Sequence, residues 1–159
     1  MFNNKICVVT GAAQGIGRTI VERFALNGAS MVYALDMNGE VLSKAFMDNN
    51  NVKPVVVNIC DRSAIDALVQ QIEADFGKID VLVNNAGITR DALIEKMTEQ
   101  DWDMVIDVNL KGVFNLTQAV APIMIANNYG SIVTMSSVVG TDGNIGQTNY
   151  AATKGGVIA

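Results

Sequence analysis

Short apolar runs alternate along the chain with segments in which apolar residues recur at helical spacing. The runs predict five β-strands, at residues 5–10, 30–36, 52–59, 78–85 and 130–137. Strands with such continuous apolar character, separated by helices, are typical of a parallel sheet that is covered on both faces. The pattern therefore predicts an α/β protein with a doubly wound parallel sheet, organised as a single domain over residues 1–159.

The segments between the strands carry helix signals. The first places Ile16, Ile20 and Phe24 on one face and stops at Asn27-Gly28. Residues 40–47 suit a second helix, residues 99–127 a long helix kinked at Pro122, and a last helix opens near Asn149. The third helix is predicted to begin at its N-cap Asp61, followed by the apolar stripe Ile65, Leu68, Val69, Ile72 and Phe76.

Composition narrows the possible functions. The net charge of −5 argues against nucleic-acid binding, which needs a basic face. No apolar run reaches the roughly 18 residues of a membrane span, and the first residues leave no room for a signal peptide, so we expect a cytoplasmic protein. Cys7 and Cys60 lack metal-ligand or redox spacing and are predicted to be reduced core residues, with no metal site.

The chain contains no histidine, which excludes a Ser-His-Asp triad, a histidine general base and a histidine-bound zinc. Any proton transfer must therefore use a carboxylate, a lysine, a tyrosine or a cysteine.

The segment TGAAQGIG (residues 10–17) joins the first strand to the first helix, which is the context of a dinucleotide-binding loop in a Rossmann-type α/β/α fold. Gly11 would allow the tight turn, Gly15 the approach of a pyrophosphate, and Gly17 the close packing of helix on sheet. The predicted cofactor-binding positions of this loop are Gly11, Gln14, Gly15, Ile16 and Gly17. The alternative is an ordinary glycine turn.

Asp36 ends the second strand, where an acidic side chain can accept from a ribose 2′-hydroxyl and would repel a 2′-phosphate. This favours NAD(H) over NADP(H). Arg18 is the nearest basic residue and could still reach a phosphate, so NADP(H) stays open. The alternative role of Asp36 is to cap the next helix.

Tyr150 and Lys154 lie four residues apart, on one face of the last predicted helix. A free tyrosine titrates at about 10, and a cation within about 4–6 Å can lower an acid's pKa by about 1–3. The phenol could then exchange a proton with a carbonyl or alcohol oxygen that Ser137, at the end of the fifth strand, holds by a hydrogen bond. A YxxxK pattern alone also occurs by chance.

Five motifs together resemble the classical short-chain dehydrogenase/reductase family over essentially the whole chain: TGAAQGIG, NNAG, the asparagine of DVNL, SSVVG and YAATK. The resemblance implies Ser137, Tyr150 and Lys154 as the catalytic set, with Lys154 also on the nicotinamide ribose. It implies that Asn109 helps to hold a proton-relay water, although from the residues alone Asn109 would be a helix-kink residue. The further cofactor positions that it implies are Asn58 and Ile59 at the adenine, and Asn85, Ala86 and Gly87 beside the cofactor.

Within the family, residues 84–115 and 135–156 are most similar to the bacterial 3-oxoacyl-acyl-carrier-protein reductases of fatty acid synthesis. The implied activity is reduction of a 3-oxoacyl thioester carried by acyl-carrier protein or CoA. Those enzymes usually use NADPH, whereas Asp36 and Gln14 favour NADH. Acetoacetyl-CoA reductases, NAD-dependent dehydrogenases of other small secondary alcohols, and a non-catalytic nucleotide-binding module are the alternatives. Arg90 is either a solvated loop charge or a contact for the acyl carrier.

Family members are commonly tetramers or dimers packed through the helices predicted at residues 99–127 and after Asn149. They also continue through two more strands and a mobile substrate-covering segment. The resemblance therefore implies that the chain is truncated at its C-terminus, which would leave the fifth strand as an uncovered edge. On this basis the 159-residue piece alone is expected to be insoluble or inactive.

Overall fold

The computed structural model describes residues 1–159 as five parallel strands with helices on both sides. The strands are β1 Ile6–Thr10, β2 Met31–Asp36, β3 Val52–Val56, β4 Val81–Asn84 and β5 Ser131–Thr134. The helices are α1 Gly15–Leu26, α2 Gly39–Phe46, α3 Arg62–Phe76, α4 Glu99–Ile106, a π-helical segment Asp107–Lys111, α5 Gly112–Ala126, α6 Val139–Asp142 and α7 Thr148–Ile158. The sheet order is β3-β2-β1-β4-β5.

Alternate residues of the strands build two cores, one on each face of the sheet. Val8 and Leu35 pack with α3 and α5, whereas Val9 and Ala34 pack with α1 and α2. Because both faces are covered, the central strands β1, β2 and β4 are buried along nearly their whole length. The prediction of a doubly wound parallel sheet is confirmed.

The strand order reverses between β1 and β4, because β1 connects outward to β2 while β4 lies on its other side. In open α/β sheets a ligand crevice forms at such a point, beyond the carboxyl ends of the strands. The glycine loop follows β1 and the NNAG segment follows β4. The topology therefore brings these two segments to the same end of the sheet.

Several strand ends differ from the prediction. β3 ends at Val56 rather than 59, because the Asn58 side chain accepts the N–H of Cys60 and turns the chain toward α3. β4 begins at Val81 rather than 78. β5 covers residues 131–134 rather than 130–137, and it is followed by the short helix α6, which was not predicted. Between them the hydroxyl of Ser137 accepts the N–H of Val139.

Two helices also differ. The face of α1 predicted from Ile16, Ile20 and Phe24 holds only in part. Ile20 and Phe24 pack against the core, whereas Ile16 is 63% exposed and the buried residues are Gly17 and Val21. The predicted helix over 99–127 is interrupted by the π-helical segment, and α5 continues through Pro122. The irregular backbone thus lies around the fully buried Asn109. Asp61 caps α3 as predicted, accepting the N–H of Ala64.

The two thiols differ in burial. Cys7 is fully buried, and this burial raises the pKa of its thiol to about 12. Cys60 is half-buried, so its prediction as a core residue holds only in part, and burial also raises the pKa of its thiol. None of the helices combines the length and apolarity that a bilayer span requires.

Candidate functional site

Hydrogen bonds tie the turn after β4 to the glycine loop after β1. The hydroxyl of Thr10 accepts the N–H groups of Asn85 (3.0 Å) and Ala86 (2.9 Å). In return, the side-chain amide of Asn85 donates to the carbonyls of Thr10 (3.0 Å) and Gly11 (3.2 Å). The two segments therefore form one rigid unit. The sequence does not indicate this role of Thr10, because only the paired strands bring its hydroxyl to the NNAG backbone.

The close packing of α1 on this unit requires glycine at position 17. A Cβ there would lie 2.1 Å from the carbonyl oxygen of Gly11 and 2.5 Å from Nδ2 of Asn85. Gly11 itself has φ +64°, a left-handed conformation that side chains rarely adopt. The start of α1 thus rests directly on the loop backbone.

Asp36 links the glycine loop to the start of α2. Its carboxylate accepts the N–H of Ala13 (3.0 Å) and the N–H of Asn38 (2.9 Å). The cap of α2 is Asn38, which accepts the N–H of Val41, so the alternative that Asp36 caps this helix is wrong. Both bonds hold the Asp36 carboxylate at the edge of a cleft.

That cleft has a volume of about 490 Å³ and lies at the carboxyl ends of β1, β2 and β4. Ten predicted cofactor positions line it: Gly11, Gln14, Gly15, Ile16, Asp36, Asn58, Ile59, Asn85, Ala86 and Gly87. Gly17 is buried behind the loop, where it allows the packing described above. Ile16, predicted both on the apolar face of α1 and as a cofactor position, is exposed and borders this cleft.

A second cavity of about 320 Å³ adjoins the cleft and shares with it the lining residues Ile16, Asn85, Gly87 and Ile88. Tyr150 and Lys154 line this cavity. The predicted cofactor positions and the predicted proton donor therefore line two adjoining cavities.

Tyr150 and Lys154 lie one turn apart on α7, with Nζ of Lys154 5.6 Å from the centroid of the Tyr150 ring. Nζ donates to the carbonyl of Met135 at 2.6 Å, and the residue is only 5% exposed. Burial lowers the pKa of Lys154 from its ordinary value. No carboxylate forms an ion pair with this ammonium, so its charge is available to the neighbouring phenol and to a bound ligand.

Asn109 is fully buried in the π-helical segment and clamps the chain beyond NNAG. Its carboxamide accepts the N–H of Ile88 (2.8 Å) and donates to the carbonyl of the same residue (2.9 Å). It also donates to the hydroxyl of Thr153 on α7 (3.4 Å). Its carboxamide oxygen would lie 3.4 Å from a Cβ at Gly87, and Nζ of Lys154 3.8 Å from the same point. Asn109 and the Lys154 ammonium are thus both close to Gly87.

Ser137, a predicted catalytic residue, does not line the cavity that contains Tyr150 and Lys154. Its hydroxyl accepts the N–H of Val139 (3.2 Å), whereas the neighbouring Ser136 lines the cavity with Tyr150. The hydroxyl of Ser136 donates to the carbonyl of Lys154 (3.1 Å) and so ties β5 to α7. Arg90 is exposed, and its guanidinium donates a hydrogen bond to the carbonyl of Thr89.

Comparisons with known proteins agree with this architecture. The family model for short chain dehydrogenases matches residues 5–159. The chain is 53% identical to the 3-oxoacyl-[acyl-carrier-protein] reductase FabG of Thermotoga maritima, over 99% of this chain and 65% of that protein. It is 44% identical to the enzyme of the same name from Escherichia coli, over 99% of this chain and 64% of that protein.

Among solved structures, the crystal structure of NAD+-bound xylitol dehydrogenase superposes with a TM-score of 0.92 at 35% identity, covering 99% of this chain and 62% of that one. The chain thus spans slightly less than two thirds of the length of these relatives. From the family match over residues 5–159, together with the sheet order and the cleft, we conclude that the chain belongs to the short-chain dehydrogenase family.

Proposed function

We propose that this protein is an NAD(P)(H)-dependent oxidoreductase that reduces a 3-oxoacyl thioester to the 3-hydroxyacyl thioester. The observation that carries the proposal is that the two cavities share four lining residues, so that the Tyr150 phenol and the Lys154 ammonium line a cavity next to a cleft suited to a dinucleotide. The substrate class rests on the relatives named 3-oxoacyl-[acyl-carrier-protein] reductase, which align with 99% of the chain.

The residues of the cleft fit a dinucleotide cofactor. Gln14, the N-cap of α1, makes no side-chain hydrogen bond to the first turn, so the N–H groups there are free to bind a pyrophosphate. Gly15 has open space where its side chain would be, which lets a phosphate approach the backbone. Asn58 and Ile59, at the other end of the cleft, would hold the adenine.

We infer a preference for NAD(H) from Asp36. Two backbone N–H groups hold its carboxylate in place, so it cannot swing away from a 2′-phosphate, which it would repel. A ribose 2′-hydroxyl could instead donate to it. The solved relative that holds NAD+ supports this choice.

When bound, the reduced nicotinamide supplies a hydride to the carbonyl carbon of the substrate. The hydroxyl of Tyr150 donates the proton that the carbonyl oxygen needs to become an alcohol, and it accepts that proton in the reverse direction. The ammonium of Lys154 stabilises the phenolate that remains. We assign the contact with the substrate oxygen to Ser137, although Ser136 is the serine that lines the cavity with Tyr150. The Ser137 hydroxyl accepts the N–H of Val139 and so keeps its own proton for donation.

Three alternative functions have less support than the reduction of a 3-oxoacyl thioester. A dehydrogenase of another small secondary alcohol draws support from the xylitol dehydrogenase relative. An acetoacetyl-CoA reductase would share the same chemistry, with CoA as carrier. A non-catalytic nucleotide-binding module would not need a phenol and a buried ammonium in the cavity next to the cleft.

We also propose that the full-length protein is a homo-oligomer, a dimer or tetramer, packed through the α4–α5 and α7 helices. Phe114 on α5 is 56% exposed, which supports a contact there. Arg90, exposed beyond the cavity wall, is the candidate contact for the acyl carrier. Light scattering of the full-length protein measures the oligomeric state, and a monomer would contradict the proposal.

The deciding experiment follows NADH and NADPH oxidation by the full-length protein with acetoacetyl-CoA. Tyr150→Phe removes only the hydroxyl and should lower kcat by about 10²–10⁴-fold, the usual loss of an acid-base group. Tyr129→Phe is the matched control, because this tyrosine is 52% exposed and packs on Lys5 away from the cleft. Equal rates for wild type and Tyr150→Phe would overturn the mechanism.

Fluorescence titrations with the two reduced cofactors test the preference separately. We expect the wild-type protein to bind NADH more tightly than NADPH. Tighter NADPH binding would contradict the role given to Asp36 without affecting the role of Tyr150.

A further inference from the structure

Asn149 immediately precedes Tyr150 on α7 and is fully buried. Its side-chain amide donates to the carbonyls of Arg90 (3.0 Å) and Asp101 (3.3 Å), and its side-chain oxygen accepts the N–H of Tyr150 (2.7 Å). Both donors of the carboxamide are therefore used on segments that are distant in sequence. A fully satisfied buried polar group of this kind fixes geometry, because any displacement leaves a polar atom without a partner.

The segment that Asn149 holds is the wall of the cavity that contains the phenol. Ile88 and Thr89 line this cavity, and Arg90 is the next residue. The backbone N–H of Ala92 donates to the carbonyl of Gly146, in the loop before α7 (2.9 Å). The wall is thus docked on the start of the helix that carries Tyr150.

A second buried asparagine holds the other end of the same wall. Asn109 binds both backbone groups of Ile88 and donates to the hydroxyl of Thr153. The hydroxyl of Thr153 in turn donates to the carbonyl of Tyr150 (2.8 Å). The backbone of Tyr150 is therefore held at its N–H by Asn149 and at its carbonyl by Thr153.

We propose that Asn149 is a positioning residue for the reduction: it sets the place of the Tyr150 phenol relative to the Ile88–Arg90 wall. This inference rests on the proposed function. Asn149 lines neither the cofactor cleft nor the cavity itself, so it acts through Tyr150 and not through contact with a ligand. Its loss should consequently lower kcat and leave cofactor binding nearly unchanged.

The test compares Asn149→Ala with Asn51→Ala in the full-length protein. Asn51 is the matched control, since its side-chain amide also donates to two backbone carbonyls, those of Ala25 and Ala29 (both 3.1 Å), away from the cleft. A displacement of about 1 Å at a reacting group can cost about 100-fold, so we expect Asn149→Ala to lower kcat by at least about 10-fold. NADH affinity should change by less than about 3-fold, and Asn51→Ala should keep the wild-type kcat. Asn149→Ser, which retains one donor, should fall between Asn149→Ala and wild type.

A double-mutant cycle separates positioning from a general loss of structure. In a Tyr150→Phe background, Asn149→Ala should lower the remaining rate by less than about 3-fold, because the group that it positions is already gone. Equal fold losses in both backgrounds would overturn the proposal, since they would mean that Asn149 acts independently of the phenol.

Amide hydrogen exchange gives a readout that does not depend on activity. The Ala92 N–H should exchange about 10-fold faster in Asn149→Ala than in wild type, and unchanged protection would contradict the docking. If wild type reduces acetoacetyl-CoA while Asn149→Ala keeps its kcat, the positioning role alone is wrong. If wild type shows no reduction, the proposed function fails, and the positioning role with it.

Discussion

Replacing Gly17 by alanine tests whether the packing of α1 on the glycine loop creates the dinucleotide site. The added methyl group would lie 2.1 Å from the carbonyl oxygen of Gly11 and 2.5 Å from the side-chain amide of Asn85. The nearest atom is backbone and cannot rotate away. The helix must therefore retreat by about 1 Å, or the loop must open by as much.

Either movement disturbs the cofactor site directly. The carbonyl of Gly11 accepts from Asn85 at 3.2 Å, and both residues line the cleft. Overpacking of this kind costs about 1–3 kcal/mol, and if the cost falls on the bound state it weakens NADH binding by roughly 5- to 150-fold. Fluorescence titration with NADH measures the loss, and thermal unfolding shows how much of the cost falls on the fold itself.

Gly156→Ala is the control, because it makes the same substitution inside a helix away from the cleft. Its methyl group would first meet the flexible end of the Leu110 side chain, at 3.1 Å. Glycine inside a helix is less favourable than alanine by about 0.5–1 kcal/mol, so this variant should keep its NADH affinity and lose little or no stability. Wild-type NADH affinity and wild-type stability in Gly17→Ala would refute the reasoning.

Two further predictions concern acid stability and the serine pair. Asp80 is 4% exposed; burial would raise the pKa of its carboxyl, but the N–H of Ile6 and the ammonium groups of Lys78 and Lys5 hold this pKa below its ordinary value. The ionised Asp80 carboxylate therefore stabilises the fold above about pH 4, and this stabilisation is lost as the pH falls further. Asp80→Asn should lower the free energy of unfolding by about 1–3 kcal/mol at pH 7 and make it less dependent on acid pH. Urea titrations at several pH values measure this, and identical curves for the variant and the wild type would contradict it. Ser137→Ala should lower kcat with acetoacetyl-CoA by at least about 10-fold. Ser136→Ala loses only a hydrogen bond to the carbonyl of Lys154 and should keep most of the wild-type kcat. A larger loss of kcat in Ser136→Ala than in Ser137→Ala would assign the substrate contact to Ser136.

Much of the fold and of the candidate site could be predicted from local sequence patterns. Continuous apolar strands alternating with helices are sufficient to predict a parallel sheet, because only such strands can be buried on both faces. The glycine loop and Asp36 could be placed at the cleft because parallel strands bring their carboxyl ends together. The spacing of Tyr150 and Lys154 placed both on one face of a helix, and the structure has them lining one cavity.

Other features depend on contacts between distant segments and leave little trace in the sequence. Nothing in the residues around Thr10 or Asn149 shows that their side chains bind the backbone of NNAG or of Arg90, since those partners are 59 or more positions away. The exposure of Ile16 and the π-helical segment at Asn109 likewise follow from how the cleft and α7 are assembled.

Local periodicity and side-chain chemistry are sufficient to predict the sheet, the order of the motifs and the residue types that can exchange a proton. Which side chains bind one another across the site follows instead from the packing of the whole fold. Such contacts depend on the distances between segments that are far apart in the chain, and these distances are set when the two faces of the sheet are packed.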